Sequence, residues 1–141
     1  MKKIKDLQSE LSAHIKKQKF PSKEQQELVR NYMTGQAPSN MQYFGLRIPV
    51  IRAILKNDLQ VFKEDLQTQF EVFEMNWFEA ESFDQKHLSL FWLESLDDED
   101  LLKFAAPILK WSSIIDNWAH SDSLCGSYSR IFDASPKIHL K

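Results

Sequence analysis

The chain has 141 residues, 43% of them hydrophobic, which is enough for one domain with a sizeable buried core and too little to argue for two. Only three glycines and five prolines stand among many Leu, Lys, Gln, Glu and Phe, so a single all-α domain over 1–141 is expected rather than a turn-rich sandwich or barrel. A formal net charge of -2 lacks the basic excess usual in nucleic-acid binders, the single cysteine, Cys125, excludes an internal disulfide, and the apolar runs fall short of the roughly 20 residues that span a bilayer.

The chain opens on a charged amphipathic stretch (Met1 to Asp6) rather than an apolar signal region, which points to a cytoplasmic protein without a membrane partner. Ile4, Leu7, Leu11 and Ile15 recur at helical spacing and predict a first helix that ends near Phe20 and Pro21. Ser22 followed by Gln25 has capping-box form, and Leu28, Val29 and Tyr32 then supply the apolar face of a second helix that stops by Gly35. The stretch from Thr34 to Leu46 carries Gly35, Pro38, Ser39, Asn40 and Gly45 and reads as the main loop.

Pro49 suits an early position of a third helix, since its missing N–H would be unpaired there, with Val50, Ile51, Ile54 and Leu55 facing inward. Asp58 is the expected cap of a fourth helix, through Leu59, Phe62, Leu66 and Phe73. A fifth is expected from Glu79 to Ser95 with Phe83, His87, Leu88, Phe91 and Trp92 near the core. Asp97 caps a sixth, through Leu101, Leu102, Ala105 and Ile108. The last helix runs from about Asn117 to Phe132, with Trp118, Asp122 and Cys125 on one face and Leu124, Tyr128 and Ile131 on another. Amphipathic helices on short loops pack as antiparallel pairs, and these stack into a solenoid or close into a compact bundle; no strict repeat chooses between them.

The residues offer no metal site or cofactor motif, since His14, His87, His120 and His139 lack ligand spacing and Cys125 is alone. His120, Ser121 and Asp122 are adjacent on a helix and point apart, so they cannot form a nucleophile triad. The acidic run Asp97 to Asp100 fits capping and dipole complementarity at a helix start better than a cation site.

Two stretches resemble the DNA alkylation repair family of alkylpurine glycosylases. Tyr43 to Arg52 is similar to the family's aromatic-Gly-hydrophobic-basic-x-Pro-x-x-Arg signature, and Asp116 to Cys125 to its Trp-x-x-x-Asp segment. With the helices between them, the likeness covers about Glu27 to Phe132. It implies an α-α superhelix, a solenoid of HEAT-like antiparallel helix pairs. It also implies a hydrolase that cleaves the N-glycosidic bond of cationic N3- or N7-alkylated purines in duplex DNA, without extruding the base into a pocket.

By position the resemblance makes Trp118 and Asp122 the catalytic aromatic and carboxylate and Tyr32 the N-terminal aromatic that joins Trp118 in binding substrate. The sequence departs from the family where many members carry an acid directly after the tryptophan, here Ala119. Related proteins continue past the position of Lys141 with a further tryptophan and phosphate-binding arginines, so the chain is expected to be an N-terminal portion. Its uncapped C-terminal edge would then favour self-association.

Residue chemistry agrees with that implication. Breaking a glycosidic bond to a cationic base builds positive charge on the sugar, which a nearby carboxylate stabilises, and an indole face attracts cations. An i, i+4 spacing aims both groups the same way. Arg47, Arg52, Lys56 and Arg130 are the candidates for phosphate contacts, because counterion release supplies much of the affinity for duplex DNA. The alternative function is a non-catalytic HEAT-like module that binds DNA structures or a protein partner.

Overall fold

A computed structural model describes residues 2–37 and 39–134; Met1, Pro38 and His139 lie outside them, as does the C-terminal edge on which the self-association expectation rests. Among the described residues the chain is all-helical, without strands: α1 Lys2–Lys16, α2 Lys23–Thr34, α3 Ile48–Ile54, α4 Leu66–Glu79, α5 Phe83–Ser95, α6 Asp98–Lys103, α7 Ala105–Ile108 and α8 Trp118–Ala134. None of these helices is long and apolar enough to cross a membrane.

Several ends follow from the expected local chemistry. Ser22 Oγ accepts the N–H of Gln25 at the start of α2, and Gly35 closes that helix in the left-handed conformation. Pro49 lies in the first turn of α3, and Asp97 caps α6 by accepting the N–H of Asp100.

Three stretches differ from expectation. The single helix expected from Leu59 to Phe73 is a 3-10 turn at Gln60–Lys63 followed by α4, which is capped by Asp65 through the Thr68 N–H at 2.8 Å and not by Asp58. The spacing of Leu59, Phe62 and Leu66 imitates one helix although the backbone is extended at Glu64 and Asp65. The fifth helix begins at Phe83, not Glu79, because Ser82 takes the cap position. The sixth breaks at Phe104 into α6 and α7, since Pro107 has no N–H to bond back to Lys103.

The second helix also departs from its reading. It has no buried residue, and Leu28 and Tyr32 are 64% and 69% exposed. Val29 and Met33 instead pack on a small cluster of Tyr43, Phe83 and Ala119.

At the centre stands α5, packed against α1, α3, α4 and α8, with every residue from Phe83 to Leu93 buried. A helix surrounded on all sides must satisfy its polar groups internally. Gln85 exchanges hydrogen bonds with Asn76, Ser89 donates to the Phe73 carbonyl, and Lys86 donates to the Trp77 carbonyl at 2.5 Å, with burial pushing its amine down to about 8. Around α5 the rings of Phe73 and Trp92 stack at 4.9 Å and those of Phe70 and Phe104 at 4.3 Å. Trp77, Trp92 and Trp111 are fully buried, and each indole N–H finds an acceptor: the Trp111 carbonyl, Gln69 and Glu74 respectively.

The loop before α3 is fastened to α5 from its N-terminal end. Gln42 and Phe83 share a backbone bond at 2.8 Å, and the buried Asp84 carboxylate accepts the Phe44 N–H at 2.7 Å and the Leu46 N–H at 2.9 Å. Between those anchors Gly45 takes φ +76, and a Cβ there would meet Pro21 Cγ at 2.9 Å. Gly45→Ala is therefore expected to cost about 1–3 kcal/mol of stability, read as a lower urea midpoint at unchanged m-value.

Candidate functional site

The start of α8 is held by its own neighbours. Asn117 Oδ1 accepts the His120 N–H at 2.8 Å as a cap does, while Asp116 accepts from Ser39 Oγ at 2.5 Å and from the Asn117 amide at 3.1 Å. Trp118 thus leaves the loop in a defined direction. It is 45% exposed, whereas the other three tryptophans are fully buried. Its indole N–H donates to the Tyr32 carbonyl at 3.0 Å, and the two rings meet edge to face at 5.5 Å.

One turn further along, Asp122 is exposed and makes no hydrogen bond or ion pair with any described residue. Trp118 and Asp122 line the same groove, of about 660 Å³, between α8, α5 and α3. Arg52 and Arg130 line it too, and Tyr32 reaches it only through its contact with Trp118. Arg47 and Lys56 are exposed near the two ends of α3 and are not among the groove's lining residues.

Both groove arginines are already engaged. The Arg52 guanidinium sits 3.9 Å over the Phe91 ring and 3.3 Å from Glu94, whose other oxygen accepts from Ser123 at 2.8 Å. Arg130 pairs with Asp98 at 2.9 Å and donates to the Leu96 carbonyl at 2.5 Å, fastening the end of α5 to the start of α6. That ties Arg130 to the fold as well as to the groove wall.

Glu94, His87 and the serines of α8 also reach this groove, and residue patterns alone did not place them there. Glu94 carried one usable signal, a charge within an otherwise apolar stretch of helix. Nothing local distinguished Ser123 or Ser127 from other small helical residues. Ala119 is buried against Tyr43 and Phe83, so the acid that many resembling sequences carry there would be desolvated in this chain.

His120 is buried, with its ring nitrogens within hydrogen-bond distance of Asn117 and the Phe83 carbonyl and away from Asp122's exposed face, so no triad forms. Among the described residues no three His, Cys, Asp or Glu lie together as a metal set.

Burial pushes the His87 imidazole down to about 4, with the nearby Arg52 charge adding to the effect, and burial holds His120 well below the usual histidine range. Protonation of His87 therefore favours the unfolded chain, whose histidine titrates near 6.5. Stability is expected to be level above pH 6.5 and to decline as pH falls toward 4. By pH 5 His87 alone should cost on the order of 2 kcal/mol, and His87→Phe should flatten that decline in urea titrations at pH 7 and pH 5.

Fold and site together define an all-helical domain with an aromatic and a carboxylate side by side in one open groove. The family model described as DNA alkylation repair enzyme matches residues 7–139, and the chain belongs to that family. No curated protein and no solved structure matches it.

Proposed function

We propose that the chain is the lesion-facing portion of a DNA glycosylase that hydrolyses the N-glycosidic bond of cationic N3- or N7-alkylated purines in duplex DNA. The supporting observation is the pairing of an exposed indole with an unpartnered carboxylate one helical turn apart in a single groove. As the bond from C1′ to the purine nitrogen breaks, its electron pair neutralises the departing base and positive charge passes to the sugar. Asp122 stabilises that charge and orients the water that adds to C1′, whose proton leaves to Asp122 or solvent. The indole face of Trp118 holds the cation, with Tyr32 buttressing the ring.

The route needs neither metal nor cofactor. Arg47 and Lys56, exposed beside the groove, and Arg52 and Arg130, on its wall, are the proposed phosphate contacts; the last two must first exchange a carboxylate for a phosphate. The helices are proposed to be turns of a HEAT-like α-α superhelix forming one domain of a cytoplasmic repair protein.

Incubating methylated duplex DNA with the protein should release 3-methyladenine or 7-methylguanine, seen by chromatography of the supernatant. A folded, DNA-binding preparation that releases no base overturns the reading. The second reading, a non-catalytic module for DNA structures or a protein partner, is favoured by one observation: both groove arginines are neutralised by acids. Salt-sensitive mobility shifts on branched DNA without base release would establish it. A concentration-dependent mass in light scattering is the expected sign of self-association.

A further inference from the structure

His87 stands apart from the other buried polar side chains of α5. Asp84, Gln85, Lys86 and Ser89 each have hydrogen-bond partners, whereas the buried Nδ1 of His87 has none. The same is true of Ser127 Oγ on α8. These two residues, 3% and 2% exposed, line the groove beneath the half-exposed Trp118. Unmatched buried polar atoms are costly, and two of them lining one groove mark a place where a ligand would supply what the protein does not.

The chemistry of the surroundings narrows the ligand. Phe91 lies 4.2 Å from the His87 ring, and Met33, Ile48 and Gly126 add apolar lining. A phosphate would have to break the Arg52–Glu94 or Arg130–Asp98 pair, and the one unpaired charge lining the groove is the acid Asp122. Backbone sugar and phosphate offer acceptors only, while a neutral imidazole presents one donor and one acceptor, and a serine hydroxyl does both. A flat heterocycle with apolar faces and a mixed edge satisfies all of these. At about 660 Å³ the groove is of the size that small-molecule sites have.

We propose that His87 and Ser127 form the floor of a subsite for the free alkylated purine base, the leaving group of the reaction above, with Phe91 against its face. The inference rests on the glycosylase reading for the identity of the base. Burial keeps the imidazole neutral at physiological pH, so it retains the acceptor nitrogen that a protonated ring would lose.

The test is a titration of the histidine-15N-labelled chain with 3-methyladenine, alongside calorimetry of the native chain, His87→Phe and Ser127→Ala. Saturable binding is expected, with the His87 ring nitrogens shifting and those of His14 unmoved. His87→Phe should weaken binding at least tenfold and Ser127→Ala several-fold. Absence of saturable binding, or His87 resonances that stay fixed at saturation, overturns the subsite, and the spectrum on the native chain decides this even if a variant fails to fold. Base release from methylated duplex is measured separately. Release without retention of the base removes the subsite alone, whereas retention without release removes the glycosylase reading and leaves a purine site.

Discussion

Replacing Asp122 with asparagine should reduce base release from methylated duplex DNA by about 10²–10³-fold, the usual loss when one group that stabilises transition-state charge is removed. The substitution keeps the side chain's shape and removes only its charge. Because Asp122 is exposed and unpartnered among the described residues, its loss should change stability by no more than about 0.5 kcal/mol. Single-turnover release on saturating DNA, measured beside the urea midpoint of the same preparation, separates the two effects. Equal release by native protein and Asp122→Asn would remove the carboxylate from the chemistry.

The largest expected loss of stability comes from Asp84→Ala. The carboxylate is buried, and that burial raises its pKa despite the Phe44 and Leu46 N–H groups it accepts. Removing it leaves two backbone donors without an acceptor, at about 1–3 kcal/mol each, so a total of about 3–5 kcal/mol is expected. Asp84→Asn keeps one acceptor oxygen and should lose less. The loop these bonds hold leads directly into α3, which carries Arg52 to the groove, so Asp84→Ala should also weaken DNA binding and base release in proportion to unfolding. That dependence distinguishes it from Asp122→Asn, whose folded fraction should stay native. Thermal melting followed by circular dichroism checks the first effect, and release normalised to folded protein checks the second.

Much of the helical frame was legible because it is set by neighbours in sequence. Ser22 and Asp97 cap the helices they precede, Gly35 stops α2 in a left-handed turn, and Pro49 opens α3. Each of these acts within four residues, so no tertiary information was needed. The misreadings have an equally local cause. Leu59, Phe62 and Leu66 keep helical spacing across an extended break, because periodicity records which side chains face inward and not whether the backbone between them is continuous. The apolar face assigned to α2 failed for another reason: Leu28 and Tyr32 are free to be exposed because no described element covers that side.

For the site, the chain itself determined that Trp118 and Asp122 point the same way, since an i, i+4 pair on a helix has no other option. Tertiary structure alone decided which of the four tryptophans would be the exposed one, that Tyr32 would meet it across 86 positions of chain, and that Glu94 would neutralise Arg52. It also decided that His87, an ordinary core histidine by its spacing, would border the groove with a ring nitrogen unmatched. Backbone hydrogen bonding and side-chain periodicity act over a turn or two and can be read along the chain. Exposure and partnership depend on which helices come together around α5, a long-range packing outcome that no short window of residues encodes.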